Sequence, residues 1–340
     1  MPSDRLPGTV TPRPTMAYLA RAAGVSKSTV SRAFSRPEML DPNTVARIAG
    51  MAARLGYVPN RAARGLSTGR HGNIAMIVPD IANPFFPPLI RAAQTEADRS
   101  EFCVFLGNSD EDPAHEDRLV SRFLGQVEGL VLVASRLAED RIRAHADRCP
   151  LVLVNRDVAG IPRILIDSAP AVGDAVAHLH DLGHRRIAYV SGPARSWSDG
   201  QRRAAVTAAA ARLDIALTIL PVSKPTYETG RAVARDVVAT GASAAIAFDD
   251  VTAHGLMTGL ADLGLRVPAD VSVVGCDDVL GAHTMPPLTT VSTSSRDAGR
   301  NAVALLFERL TAGTGYAPRT MLTTRLVVRQ TSGPGPRLQR

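Results

Sequence analysis

The sequence predicts an N-terminal three-helix module of helix-turn-helix type, followed by an α/β body of two parallel-sheet subdomains. Three observations predict this. Short apolar helical patterns fill residues 15–56, apolar runs alternate with amphipathic segments beyond residue 73, and positive charge is concentrated at the N-terminus. Residues 1–70 carry a formal net charge of +8, and the rest of the 340-residue chain carries −1. A small basic module on a near-neutral body is typical of a polyanion-binding domain fused to a domain with another task.

Composition excludes several classes of protein. Hydrophobic residues make up 45% of the chain and charged residues 21%, which excludes a mostly disordered or fibrous chain. The three cysteines are far apart and form no CxxC pair, so neither a disulfide framework nor a zinc site is expected. No apolar run approaches the ~18 residues of a membrane span, and Asp4 with four prolines breaks the first 14 residues where a signal peptide would be apolar. We therefore expect a cytoplasmic protein with no membrane partner.

Three helices are predicted between residues 15 and 56, each with its own start signal. Thr15 is a candidate N-cap for the first helix, which Gly24 ends, and Ser26 is a candidate N-cap for the second. Asp41, followed by proline at the first helical position, starts a third helix that runs to Gly56. Three short helices around one small core indicate a helix-turn-helix module, although any compact three-helix unit also has a solvated polar face.

The second predicted helix has two distinct faces. At 100° per residue, Val30, Ala33 and Phe34 fall on one arc and can pack against the other helices. The opposite arc carries hydrogen-bond donors, namely Lys27, Ser28, Ser31 and Arg32. This donor face is the candidate DNA-reading surface.

A short segment after the third helix has the features of a hinge. Asn60 is a good N-cap, but the six or seven residues that follow are fewer than the ~12–15 an isolated helix needs, so the segment should be helical only when docked. Leu66 beside Arg61 and Arg64 is unusual for a linker. It suits an apolar wedge that enters a minor groove while the flanking cations contact phosphates.

The body alternates strands and helices. Short apolar runs occupy residues 74–80, 102–108, 129–135, 151–155, 186–192, 217–223, 244–250 and 271–278, and segments such as Asp297 to Leu310 have helical length and pattern. Near-continuous apolar strands indicate parallel sheets covered on both faces. About eight strands are too many for one half-domain, and a change of rhythm near Asp167 suggests two subdomains.

Polar and aromatic residues follow the ends of these strands, where open parallel sheets bind ligands. Planar polar groups beside aromatic rings suit a polyhydroxylated ligand, because they can satisfy adjacent hydroxyls in pairs. Ordinary packing could also explain Phe86, helix N-capping is favoured for Asp250, and a turn could explain Asp278. The candidate ligand-binding residues are Asp80, Asn83, Phe85, Phe86, Asn155, Ser196, Trp197, Arg202, Asp249 and Asp277, with Asp167 also at a strand end.

The N-terminal motifs resemble those of the lactose-repressor (LacI/GalR) transcription factors. The match is nearly gapless over residues 15–70 and includes the VSKSTVSR core and the LGYVPNRAARGL run at the family's spacing. The resemblance implies a homodimer on a near-palindromic operator. It also implies that Lys27, Ser28 and Arg32 face base edges and that Leu66 intercalates. The full set of candidate DNA-binding residues is Thr15, Ser26, Lys27, Ser28, Thr29, Ser31, Arg32, Asn60, Arg61, Arg64 and Leu66, of which Ser26, Thr29 and Ser31 would contact phosphates.

The body is also similar to that family's periplasmic-binding-protein-like (type I) effector domain, through VPDIANPFF, LGHRRIAYVSGP, VPADVSVVGCDD and PPLTTV. The resemblance implies a small-molecule effector, a sugar or sugar-like polyol. It implies a specificity loop at residues 196–198, and effector contacts at Phe85, Asn155, Arg202, Asp249 and Asp277. Two positions depart from the family: Asn155 stands where many members carry Asp, and Pro225 stands where an aromatic wall is common, with Tyr227 close enough to substitute.

These signals predict the following organisation. Residues 1–13 form a disordered tail, 14–59 the helix-turn-helix domain, 60–71 the hinge helix and linker, and 72–335 the effector-binding and dimerisation domain. Within that domain the N-subdomain would take about 72–167 and 293–322, and the C-subdomain about 168–292 and 323–335. Since the last residues show no heptads, we expect a dimer without the C-terminal coiled coil that makes some relatives tetrameric.

Two other functions fit the body less well. An enzyme would need a phosphate-binding or nucleophile device, yet no GxGxxG follows the first strand, no GxxxxGK[ST] occurs, and no GxSxG elbow joins a predicted strand to a helix. A solute-binding protein for transport would need export and no basic module. His178, His180 and His184 could suggest a metal cluster, but the turn at Gly183 favours solvent exposure instead. No cofactor and no metal are expected.

Overall fold

The computed structural model describes residues 14–57, 72–279, 281–312 and 317–336. The chain divides into two compact units, Met1–His71 and Gly72–Arg340. The predicted tail at 1–13 and the hinge at 60–71, with Asn60, Arg61, Arg64 and Leu66, lie outside the described residues.

The first unit contains the three predicted helices. They are α1 (Met16–Ala22), α2 (Lys27–Ser35) and α3 (Pro42–Leu55), with a 3₁₀ turn at Pro37–Met39. All three predicted N-caps are confirmed, because the side chains of Thr15, Ser26 and Asp41 each accept a backbone N–H three residues later, at 3.0–3.2 Å. Gly56 ends α3 in the left-handed conformation, with φ of 63°, which favours glycine.

The small core of the first unit is built from the predicted apolar face. Leu19, Val30 and Ile48, one from each helix, are fully buried. The opposite face of α2 is exposed at all four predicted donor positions, Lys27, Ser28, Ser31 and Arg32. The two-faced pattern of α2 is therefore confirmed, and its donor side chains are exposed to solvent.

The second unit contains two six-stranded sheets, each the centre of what we call a lobe. The first lobe has the strand order β11-β5-β4-β3-β1-β2 and is parallel throughout; its strands are β1 (Asn73–Val78), β2 (Cys103–Asn108), β3 (Gly129–Val133), β4 (Leu151–Val154), β5 (Arg163–Asp167) and β11 (Arg319–Thr323). Its helices are α4 (Phe86–Asp98), α5 (Pro113–Phe123), α6 (Glu139–Ala146) and α12 (Ser295–Ala312). Two apolar clusters cover the two faces of the sheet.

The second lobe has the order β12-β10-β9-β8-β6-β7, in which only the β10–β12 pair is antiparallel. Its strands are β6 (Arg186–Ser191), β7 (Ala216–Pro221), β8 (Ala244–Ala247), β9 (Ser272–Asp277), β10 (Thr289–Ser292) and β12 (Arg325–Val327). Its helices are α7 (Ala169–Asp181), α8 (Trp197–Arg212), α9 (Tyr227–Ala232), α10 (Ala234–Ala239) and α11 (Asp250–Asp262), with a 3₁₀ turn at Gly281–His283.

The chain passes between the lobes three times. The passages follow β5, follow β10, and separate β11 from β12 at Thr324. The hydroxyl of Thr324 in the third passage donates to the carbonyl of Asp167, where the first begins, at 2.7 Å. The hydroxyl of Thr293 in the second passage donates to the carbonyl of Asp277 at the end of β9, at 3.1 Å. Because three chain segments join the same two lobes, the lobes can rotate relative to each other about these segments but remain connected.

The eight strands predicted from apolar runs are all present, but β5, β10, β11 and β12 were missed. β11 alternates exposed and half-buried residues at the border of the first sheet, so it has no apolar run to find. β10 and β12 are only four and three residues long. Among the described residues, no helix is long and apolar enough to cross a membrane.

The prediction that His184 is solvent-exposed is wrong. The side chain is only 1% exposed, and its ring nitrogens lie 2.8–3.1 Å from the hydroxyls of Ser243 and Ser272 and from the carbonyl of Gly333. The C-terminal segment around Gly333 covers a turn that the local sequence places at the surface. Burial lowers the pKa of His184, which favours the neutral ring.

Candidate functional site

The carboxyl ends of strands from both sheets meet at one cavity that is partly open to solvent. Residues on its wall come from loops after β1, β2, β3 and β4 in the first lobe. In the second lobe they come from the loops and helices after β6, β7 and β8 and from the end of β9. Eight of the ten predicted ligand-binding residues line it: Asn83, Phe85, Phe86, Asn155, Ser196, Arg202, Asp249 and Asp277.

Arg202 is the buried centre of the second-lobe wall. It lies on α8, whose N-cap Ser196 accepts a backbone N–H at 3.2 Å, and it is 5% exposed. Its guanidinium donates to the hydroxyl of Ser168 at 3.1 Å and to the carbonyl of Phe248, and lies 4.9 Å from the centre of the Phe248 ring. Its third partner is the Asp277 carboxylate at 3.4 Å. These contacts hold the planar donor group in one orientation.

Asp249 joins the two lobes. One carboxylate oxygen accepts the backbone N–H of Thr252 at 2.8 Å and so caps α11, while the other accepts from the Asn83 amide of the first lobe at 2.8 Å. Both residues are buried. N-capping was predicted for Asp250, but that prediction is wrong by one residue: Asp250 is the first residue of the helix and accepts from Thr290 instead.

Burial dominates the electrostatics of the two acidic residues. It raises the pKa of Asp277 well above the usual range, and the nearby Arg202 charge opposes that effect only in part. The pKa of Asp249 is also raised by burial, against the hydrogen bonds from Thr252 and Asn83. Carboxyl groups that are hard to ionise gain from any ligand hydroxyl that donates to them.

The aromatic residues supply flat apolar surface. Phe85 and Phe86 pack edge to face with ring centres 5.1 Å apart, and both belong to the first-lobe core while lining the cavity. Phe86 therefore packs in the core, as the sequence allowed, and its place on the cavity wall leaves ligand contact as a prediction. Phe248 was not predicted because it follows an apolar strand directly and is indistinguishable from core in the sequence.

Left-handed backbone conformations concentrate around this cavity. Glu111, Ala134, Asn155 and Asp277 all have positive φ, from 47° to 118°, and all line it. Non-glycine residues in this region cost free energy and persist where the surroundings impose them, often at functional sites. The backbone strain at these four residues therefore indicates the same functional site as the buried polar side chains do, namely this cavity.

Some placements differ from the sequence predictions. Asp80 does not line the cavity but accepts the backbone N–H of Ala82, and Trp197 is half-buried at the start of α8 while its neighbours line the wall. Sequence reasoning missed four lining residues, namely Glu111, Ala134, Arg136 and Phe248. Ser198 and Pro225 also line the cavity, at positions that the family resemblance had singled out.

The chemistry needed for catalysis is not evident here. Burial raises the pKa of the Cys276 thiol beside the cavity, which is the opposite of what a thiolate nucleophile requires. Within the described ranges, no group of three or more His, Cys, Asp or Glu side chains could hold a metal ion. The arrangement can bind and orient a polar molecule.

Comparisons with known proteins agree with this geometry. Residues 15–60 match the family described as bacterial regulatory proteins, lacI family, and residues 176–332 match the periplasmic binding protein-like domain. The transcriptional regulator CelR of Thermobifida fusca is 32% identical over 94% of this chain and 98% of its own length. The chain belongs to the LacI family. The transcriptional repressor CytR of Escherichia coli is a further relative, 30% identical over 87% of this chain and 89% of its own length.

Solved LacI-family structures show the same fold. The lac repressor dimer bound to operator and the anti-inducer ONPF is 27% identical, with a TM-score of 0.84 over 94% of this chain and 99% of that one. The CelR–cellobiose complex is 27% identical, with a TM-score of 0.70 over 94% of this chain and 100% of that one. This LacI-family chain is therefore a DNA-binding transcriptional regulator, not an enzyme.

Proposed function

We propose that this LacI-family regulator binds a sugar or sugar-like polyol in the cavity between its lobes, and that the bound effector changes its affinity for operator DNA. The observation that carries the proposal is the convergence of Arg202 from α8, Asp249 from the start of α11 and Asp277 from the end of β9 on one space bordered by Phe85. The guanidinium donates hydrogen bonds, the two carboxylates accept them, and the Phe85 ring supplies an apolar surface. A sugar ring with several hydroxyls can use all of these groups at once. CelR, a relative with the same fold, has been solved with cellobiose.

The DNA-reading role belongs to the exposed face of α2. Lys27, Ser28 and Arg32 would meet base edges in the major groove, while Ser26, Thr29 and Ser31 would contact phosphates. The exposed Thr15 would add a backbone contact at the start of α1. From the sequence, Asn60, Arg61, Arg64 and Leu66 would form the hinge contacts. Repression is the proposed outcome of operator binding, in the cytoplasm.

We propose a homodimer, because two copies of α2 are needed to read two related half-sites of a near-palindromic operator. The outer strands of the two sheets favour this assembly. β2 and β7 each border their sheet and carry exposed apolar side chains, Leu106 at 41% and Ile219 at 37% exposure. Light scattering should give the mass of two chains, and a stable tetramer would contradict the proposal.

Effector control requires a change that ligand binding can favour. The Asn83–Asp249 hydrogen bond and three chain passages connect the lobes, so a ligand that contacts both lobes selects among their relative orientations. A ligand can shift this equilibrium only by its difference in affinity for the two states. The effector therefore needs contacts in both lobes, which the composition of the cavity wall allows.

The test is a thermal-shift screen of the full chain against sugars and polyols, followed by calorimetry. A ligand that binds only the folded protein stabilises it by about 2.7 kcal/mol at a hundredfold excess over its Kd. The best ligand should bind Asp277→Asn at least tenfold more weakly, and bind Asp297→Asn, an exposed surface-pair variant on α12, with wild-type affinity. Equal affinities for wild type and Asp277→Asn would place the site elsewhere.

A further inference from the structure

The first-lobe wall of the cavity contains a buried ion pair between Arg136 and Glu111. Neither residue is among the predicted ligand-binding residues. Arg136, in the loop after β3, is 5% exposed, and its Nε and Nη2 donate to the two carboxylate oxygens of Glu111 at 2.5 and 3.1 Å. Its Nη1 donates to the carbonyl of Ala134 at 2.8 Å, and its backbone N–H donates to the buried Glu116 carboxylate at 2.9 Å. The guanidinium is therefore held rigidly at the cavity wall.

Arg136 still has donors to offer. A guanidinium carries five N–H protons and accepts no hydrogen bonds. Three of its protons are used by Glu111 and Ala134, which leaves one on each terminal nitrogen. Because Arg136 lines the cavity, these remaining protons are the part of the group that a ligand can meet.

Asn155 presents donors from the same lobe. Its Oδ1 accepts the backbone N–H of Ile166 at 2.9 Å, and this bond fixes the orientation of the amide because an N–H needs an oxygen opposite it. The amide nitrogen has no hydrogen-bond acceptor among the described residues, and Asn155 lines the cavity. The first lobe thus offers N–H groups from Arg136 and Asn155, where an aspartate at position 155 would offer an acceptor.

The second lobe has the opposite character at its acidic positions. Asp277 shares one oxygen with Arg202 at 3.4 Å, and Asp249 has both oxygens engaged, each by a single N–H. Every carboxylate oxygen has two lone pairs, so both residues can accept further hydroxyl protons. The first lobe therefore contributes N–H donors from Arg136 and Asn155 to the cavity wall, and the second contributes carboxylate acceptors from Asp249 and Asp277.

Each cation of the wall already has an acidic partner, and Asp249 is a further acid beside them. Glu111 neutralises Arg136, and Asp277 lies against Arg202. An ionised carboxylate or phosphate on the ligand would enter a buried site without an unmatched cation, at a cost in desolvation. The wall thus favours a neutral group that only accepts hydrogen bonds.

We propose that Arg136 and Asn155 form a subsite for a neutral carbonyl oxygen, so that the effector is a polyol that also carries an amide, lactone or ring carbonyl. The inference rests on the proposed effector function of this cavity. It narrows that function from polyols in general to carbonyl-bearing ones. The hydroxyls face Asp249 and Asp277, and the carbonyl faces the first lobe.

Matched probes test the proposal by calorimetry on the full chain. D-glucitol, D-gluconamide and D-gluconate differ only at one terminal group, which is a hydroxymethyl, a neutral amide or a carboxylate. Methyl β-D-ribofuranoside and uridine form a second pair. The first compound has no carbonyl group, and the base of the second carries ring carbonyls. In at least one pair the carbonyl-bearing probe should bind the wild type tenfold or more tightly than its partner, and gluconate should bind no more tightly than gluconamide.

Variants assign the preference to the subsite. Asn155→Asp keeps the bond from Ile166 but replaces the free donor with an acceptor, so the carbonyl preference should fall at least tenfold while binding of the carbonyl-free probe persists. Glu111→Met with Arg136→Met removes the guanidinium donors without leaving a buried carboxylate unpaired or adding an amide donor, and should act in the same way. Arg143→Gln, which breaks an exposed pair on α6, is the control and should change nothing.

The outcomes separate this proposal from the function on which it rests. If carbonyl-free polyols bind as tightly as their carbonyl-bearing partners, or if the preference survives both subsite variants, the subsite is wrong while the polyol site stands. If no probe of either pair binds, the carbonyl-polyol class is wrong. If a ligand binds but Asp277→Asn leaves its affinity unchanged, the cavity itself is wrong.

Discussion

Replacing Arg202 with alanine should damage both stability and effector binding, and the structure indicates how much of each. The guanidinium has three hydrogen-bond partners, and its removal leaves the buried Asp277 beside the buried Asp249 without a cation. Removing one member of a buried pair costs about 3–5 kcal/mol. The lower end is expected here, because the Asp277 contact at 3.4 Å is long and both acids can take up a proton as their pKa values are raised.

Urea unfolding measures the stability term without any ligand. The free energy of unfolding of the second unit should fall by about 3 kcal/mol in Arg202→Ala, with an unchanged slope against denaturant. Arg300→Ala breaks an exposed pair and should cost no more than about 1 kcal/mol. Calorimetry below the unfolding transition should then show the best cavity ligand bound about ten- to a hundredfold more weakly, as one lost buried contact of about 1–3 kcal/mol implies. A stability loss equal to that of the control, together with unchanged ligand affinity, would refute the reasoning.

Three further predictions concern the DNA-reading face, the hinge and the C-terminal segment. Arg32→Ala should weaken operator binding by about 1–3 kcal/mol and relax one base position; an equal loss on every sequence would assign Arg32 to phosphates. Leu66→Ala should reduce the operator bend without unfolding the second unit, and an unchanged bend in a circular-permutation gel would exclude an intercalating role. Burial lowers the pKa values of His178 and His184, so between the folded values and about 6.5 the unfolded chain binds more protons and acid destabilises the fold. Stability should therefore fall as the pH drops below about 6.5, and His184→Gln should flatten that dependence; an identical pH profile in the variant would contradict it.

Local signals in the sequence predicted the elements of the first unit well. Capping residues such as Thr15, Ser26 and Asp41 act within four residues of their partners, so their effect is visible in the sequence. The position of Arg202 in the cavity was also predictable, because the carboxyl ends of parallel strands converge. The apolar runs in the sequence were clear enough to locate the strands, and therefore to locate their carboxyl ends.

Long-range contacts could not be predicted in this way. The pairing of Arg136 with Glu111 spans 25 residues and depends on the neighbouring ends of β2 and β3 on either side of β1, which no short window reveals. The burial of His184 depends on a segment 149 residues away that lies against it. The inter-lobe bond between Asn83 and Asp249 spans 166 residues. Each of these contacts is set by tertiary packing rather than by local preference.

The most direct test of the account is operator affinity with and without the cavity ligand. Fluorescence anisotropy on a selected near-palindromic operator should show that the best ligand from the screen changes the Kd of the wild-type chain for DNA at least tenfold. Asp277→Asn should bind the operator as the wild type does without ligand, and should lose that response at the same ligand concentration. A wild-type Kd that no cavity ligand alters, or a full response in Asp277→Asn, would contradict effector control through this cavity.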